Sequence, residues 1–166
     1  MSFRNGAGRV VLDGRLPFEG RGAFTVSAEA FPAEDLWMLL QRDYRDVDGE
    51  FSGNLTLFGS ANAPIMTLFA SLRQGVFGDF QAPQILGEFQ YENRRVEGDV
   101  RLLRTGEEIL NVAVRLPIDL ALTEVQHRRL PGGISIRAAA EGVDLSFMDA
   151  VNPLVRETGG NLYADV

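Results

Sequence analysis

Apolar residues recur at every second position over most of the chain, the period of half-buried β-strands. Val10, Leu12 and Leu16 mark the first run, Phe24, Val26, Ala28 and Ala30 the second, and Leu55 and Leu57 share a face in the third. Residues 65–72 carry apolar side chains at both parities, which predicts a strand buried on two faces. Ile85, Gly87, Phe89 and Tyr91 then alternate with Glu88, Gln90 and Glu92, and Val96, Gly98, Val100 and Leu102 with Glu97, Asp99 and Arg101. The longest single-face stripe is Leu110, Val112, Val114, Leu116, Ile118 and Leu120, and Ile134, Ile136, Ala138 and Ala140 follow. Turn signals at Asp13-Gly14, Glu92-Asn93, Thr105-Gly106 and Pro131-Gly132-Gly133 separate the runs. The pattern predicts a mainly β fold: a long antiparallel sheet with one apolar and one polar face.

Two segments depart from it. Residues 33–41 follow Pro32, carry Glu34 and Asp35 early and place Leu36, Leu39 and Leu40 at helical spacing. Residues 144–151, limited by Pro153, predict a second short helix. Each follows an alternating strand and precedes a Gly-Asn-Leu, at Gly53-Asn54-Leu55 and Gly160-Asn161-Leu162. The chain therefore reads as one segment, 1–166, of a longer repetitive β domain. Its weak repeat units are 23–64 and 134–166, joined by hairpin strands over 65–120.

Composition narrows the function classes. The net charge is −7, from 16 basic and 23 acidic residues, and every basic residue is Arg. An acidic chain lacks the basic footprint that nucleic-acid binding requires, so no nucleic-acid partner is expected. There is no Cys, hence no disulfide or thiolate chemistry. No apolar stretch reaches the ~18 residues of a membrane span, and the first residues lack the apolar core of a signal peptide. If the parent protein is exported, its targeting segment is expected outside this chain. Residues 162–166 alternate like a strand and stop without a polar tail, the look of a cut end.

The candidate chemistry is sparse. The single His127 stands in Gln126-His127-Arg128-Arg129, a polar turn with no acid or nucleophile beside it. Residues 43–50 are acidic like a calcium loop, but placing Gly49 at the sharp turn puts Tyr44 and Leu55 where oxygen donors are needed. Glu107 and Glu108 point to opposite faces of a strand and cannot flank one bond. Gly6-Ala7-Gly8 and Gly20-Arg21-Gly22 are too short for a phosphate loop. Arg94-Arg95 and Arg128-Arg129 read as charged hairpin tips, with anionic head groups the alternative. Asn54-Leu55-Thr56 spells a glycosylation acceptor, a motif common by chance. No catalytic residue, metal site or cofactor is expected.

One resemblance stands out. Phe31-Pro32-Ala33-Glu34-Asp35-Leu36, followed by the run from Gly49-Glu50-Phe51 through Gly59-Ser60-Ala61-Asn62-Ala63-Pro64, resembles a recurring TamB-family (translocation and assembly module) pattern. In that pattern a leucine-bearing helix leads to a Gly-x-Leu strand and a Gly-Ser/Thr-x-x-x-Pro turn. The strands from Leu86 to Val100 and the Leu116-Pro117-Ile118-Asp119-Leu120 stretch are similar to the family's hairpins, and residues 143–162 look like the start of another repeat. The resemblance runs from about Phe24 onward and implies a C-terminal-half fragment. It further implies an elongated sheet curled into a taco-like or solenoid-like groove, in an inner-membrane-anchored protein that crosses the periplasm. The implied partners are phospholipid acyl chains and, through parts outside this chain, an outer-membrane barrel of the TamA type. The implied role is non-catalytic, in phospholipid transfer to the outer membrane or protein assembly in it. The groove candidates are then Val96, Val100, Leu102, Leu110, Val112, Val114, Leu116, Ile118 and Leu120. Two other readings compete: a structural or adhesive β-solenoid module binding protein or glycan, with aromatics on its wet face, and a hydrolase whose carboxylates gather from adjacent coils.

Overall fold

The computed structural model describes residues 2–5, 8–35, 47–77, 80–140 and 162–165. They form one ten-stranded sheet whose strand order follows the sequence: β1 (Ser2–Asn5), β2 (Gly8–Arg15), β3 (Gly22–Pro32), β4 (Val47–Gly59), β5 (Pro64–Phe77), β6 (Phe80–Glu92), β7 (Arg95–Arg104), β8 (Glu107–Pro117), β9 (Ser135–Ala140) and β10 (Leu162–Asp165). The protein is mainly β, and every neighbouring pair from β1 to β9 is antiparallel. The expected antiparallel pairing fails at the last pair, where β10 runs parallel to β9. Parallel neighbours need a crossover of a dozen or more residues, and residues 141–161 between them are long enough. The two weak repeat units therefore differ in pairing: β3 and β4 are antiparallel, β9 and β10 parallel.

Period two builds the hairpins where turn residues allow it. Asn93 and Arg94 both take positive φ, as do Thr105 and Gly106, giving two-residue turns whose twist matches the strands they join. Asp13-Gly14 is not a turn. Both residues pair inside β2 with Thr25 and Phe24. A Cβ on Gly14, at φ +108, would lie 2.2 Å from the Ala23 carbonyl oxygen, so this glycine serves close strand approach instead.

Residues 65–72 also differ from expectation. Their outward members Ile65 and Phe69 are 43% and 50% exposed, because the sheet is a single layer and nothing among the described residues packs on that side. The helical residues described are 33–35. The rest of the predicted 33–41 helix, and all of the 144–151 helix, lie outside the described residues.

Register shifts interrupt the ladders at Ala28/Phe31, Asp48/Glu50 and Leu102/Leu103. All three fall toward the strand ends joined by the β3–β4, β5–β6 and β7–β8 connections. At the first, Ala30 takes φ +48, its N–H donates to Ser52 Oγ at 3.1 Å, and Phe31 replaces it opposite Phe51. Such bulges add twist at one end of a sheet.

Candidate functional site

Residues paired across an antiparallel ladder point to the same side of the sheet. Followed from strand to strand, the pairs define four rows on one face. The row nearest the β2–β3, β4–β5 and β6–β7 turns is Phe24, Leu57, Met66, Tyr91, Val96 and Leu116. Next come Leu12, Val26, Leu55, Leu68, Phe89, Gly98, Val114 and Ile136, and then Val10, Ala28, Gly53, Ala70, Gly87, Val100, Val112 and Ala138. Phe31, Phe51, Leu72, Ile85, Leu102 and Leu110 complete the face. The one polar side-chain atom in these rows is the Tyr91 hydroxyl.

The glycines in these rows are covered by phenyl rings. A Cβ on Gly98 would lie 2.5 Å from the Phe89 ring and 2.2 Å from the Glu88 carbonyl oxygen, and one on Gly53 would lie 3.0 Å from the Phe51 ring. The Phe51 and Phe89 rings thus fill the space that side chains at Gly53, Gly87 and Gly98 would take. The face is nonetheless not sealed. Leu57, Tyr91, Leu102 and Phe31 are buried, most of the other row residues are half-buried, and no large side chain among the described residues is fully buried.

Seven of the nine residues singled out from the sequence come together on this face, as the pairs Val96↔Leu116, Val100↔Val112 and Leu102↔Leu110, with Val114 opposite Gly98. Ile118 and Leu120 do not continue the stripe. β8 ends at Pro117, which lacks the N–H a ladder needs, and the chain then turns across the strand ends. The Ile118 N–H donates to the Arg94 carbonyl at 3.0 Å, Asp119 N–H to the Arg128 carbonyl at 2.7 Å, and Leu122 N–H to the Ala61 carbonyl at 2.8 Å. Leu120 N–H donates to the Tyr91 hydroxyl at 2.9 Å, and Ala121 N–H to Asp119 Oδ1 at 2.9 Å. Every backbone N–H from 118 to 122 is thus used. The segment passes from β8 over Tyr91 of β6 to the β4–β5 turn, and Ala61 N–H in turn donates to the Pro17 carbonyl. Sequence reasoning missed this crossing; Pro117 was the available signal.

The arginine pairs are partly absorbed in the same structure. Arg94 Nε lies 3.2 Å from Asp119 Oδ2, and Arg128 donates to the carbonyls of Asp119 and Ala121 at 3.2 and 3.0 Å. Other candidates are engaged locally: Asp48 Oδ1 accepts the Gly49 N–H, Glu50 pairs with Arg73, and Asn54 donates to Ser27 Oγ. His127 is exposed. Among the described residues no three His, Cys, Asp or Glu side chains gather as a metal site, and no helix is long and apolar enough to cross a membrane. The opposite face has exposed apolar residues in two places, Phe58 paired to Ile65 and, beyond the Thr56–Thr67 pair, Phe69 in a shallow depression with Asn54, Leu86, Glu88 and Arg101.

No family model, curated protein or solved structure matches the chain.

Proposed function

We infer that this chain is a non-catalytic segment of a TamB-like periplasmic bridge. Its apolar face, curled into a taco-like groove, carries phospholipid acyl chains to the outer membrane or supports protein assembly there. One observation carries this reading: four adjoining rows of apolar residues, most of them half-buried and a few buried, with a single polar side-chain atom. From Tyr91 to Ile85 the face runs about 20 Å along the strands, and from β2 to β9 about 35 Å across them. These spans outline a continuous apolar footprint of roughly 700 Å². It is longer than the ~15 Å of one leaflet's hydrocarbon. Acyl chains need continuous apolar contact, about 0.8 kcal/mol per buried CH₂, and no aligned polar groups.

The test is purification of the chain without detergent, lipid extraction and mass spectrometry, for wild type and for Val114→Arg and Leu116→Arg. Co-purifying phospholipid in the wild type, lost in both variants while they remain folded, is expected. A lipid-free wild-type protein that ignores added fatty acid would remove the reading.

A second reading draws on the other face. An adhesive module would present aromatics to solvent, and Phe58 and Phe69, both 50% exposed, do so. Binding to immobilised glycan or protein that is lost in Phe69→Ser, with no lipid in the wild type, would put that reading first.

A further inference from the structure

We propose that residues 118–122 are a latched strap that closes the turn end of the apolar face to acyl chains, with Asp119 as the latch. The inference rests on the lipid reading above and adds a gate to it. The strap is not a sheet strand. It is held at four separate places: the β6–β7 turn at Arg94, the return at Arg128 and Arg129, where Ile118 and Arg129 form an isolated antiparallel bridge, Tyr91 on the apolar face, and the β4–β5 turn at Ala61. Apart from that single bridge it pairs with no strand, so it can leave the face without unzipping any ladder of the ten-stranded sheet. While it is in place, Ala121 is 3% exposed and Tyr91 5%, and a chain lying along β5 to β7 cannot slide past the turn end.

Asp119 holds both ends of this arrangement. It is the one buried charged residue among the described residues, at 6% exposure. Its Oδ1 fixes the bend of the strap through the Ala121 N–H, and its Oδ2 pairs with Arg94 on the sheet. Arg128 reinforces the bend from outside by binding two strap carbonyls. Removal of the Asp119 carboxylate leaves the Ala121 N–H and the Arg94 guanidinium without their acceptor and frees the strap at two points.

The experiment compares wild type, Asp119→Ala, and the double variant Ala61→Cys with Leu122→Cys, in an otherwise cysteine-free chain. The 2.8 Å bond between Leu122 N and Ala61 O brings these backbones within disulfide range. The probe is cis-parinaric acid, followed by stopped-flow fluorescence, with amide exchange at 118–122 read in parallel. Asp119→Ala should speed both uptake and release about tenfold, the weight of one lost bond to a charged group, and deprotect the strap amides. The oxidised disulfide should slow both rates, and its reduction should restore them. If Asp119→Ala fails to fold, oxidised against reduced forms of the double variant make the same comparison within one protein. Equal rates in locked and unlocked forms would overturn the gate while leaving lipid binding intact. A wild type that takes up no fatty acid would overturn the lipid reading and the gate with it.

Discussion

The two faces of this sheet are made from alternate residues of the same strands, yet they solve different problems. The apolar face supplies area: its rows hold side chains from Gly to Phe in close contact, and its contribution scales with surface removed from water. The polar face supplies order. Arg101 reaches Glu88 at 2.8 Å and Asp99 at 3.1 Å, Arg115 reaches Glu97 at 3.0 Å, and Arg73 pairs with Glu50. Glu88 and Asp99 are directly opposite one another, a like-charge pair that Arg101 beside them offsets. Exposed pairs of this kind contribute about 0–1 kcal/mol each. They also fix register, since a slip by one residue would turn the charged set onto the apolar side. Stability should therefore respond strongly to changes on one face and weakly on the other.

The largest effect is expected at Gly98. A Cβ there meets the Glu88 backbone and the Phe89 ring together, and neither can yield without moving a strand. Gly98→Val should cost about 2–3 kcal/mol, seen as a lower urea midpoint at constant slope. An unchanged midpoint would mean that β6 and β7 are not held this close.

Val114 and its neighbour Ala113 make the cleanest contrast. Val114 lies opposite Gly98 on the apolar face, and exposed Ala113 lies opposite Asp99 on the other. Val114→Arg should lower stability by about 1–3 kcal/mol, because a guanidinium enters a face with no partner for it, and should abolish fatty-acid binding. Ala113→Arg should stay within about 0.5 kcal/mol of wild type and bind as before. Similar melting curves and binding for the two would erase the distinction between the faces.

The faces were legible in the sequence because β structure has a period that does not drift: once Val96, Val100 and Leu102 share a side, pairing with Leu110, Val112 and Leu116 follows. What could not be read was where the period stops or slips. Alternation continues through Ile118 and Leu120, so the stripe looked unbroken, although Pro117 ends the ladder and Asp119 finds its partner at Arg94, distant in sequence. Ala30 and Gln74 take positive φ without being Gly, so nothing in their identity marks a bulge. Residues 65–72 looked buried on both sides because composition cannot tell a second packing layer from bare solvent.

A smaller effect is expected at Arg101, whose side chain is 31% exposed. Arg101→Gln removes the cation between Glu88 and Asp99 and should cost about 0.5–1 kcal/mol after screening. The loss should shrink when Glu88→Gln is added, since the repulsion then goes too. A double-mutant cycle with no coupling would show that the three charges act independently.

The smallest effect on stability should come from the exposed rings of the polar face, and it says most about use. Phe58 and Phe69 are each half-exposed, so Phe58→Ser with Phe69→Ser removes apolar surface that folding buries only in part. Stability should fall by no more than about 1 kcal/mol for the pair. If the lipid reading is right, fatty-acid uptake should be unchanged, because these rings are separated from the apolar rows by the sheet itself. Solubility should rise, since two exposed rings that favour association are gone. If the polar face is instead the working surface, the double variant should lose its protein or glycan partner while keeping the same melting curve. Measuring uptake, melting and partner binding on this one variant therefore asks which side of the sheet the protein uses. Loss of lipid uptake without loss of stability would contradict both readings, because it would require one face to act through the other.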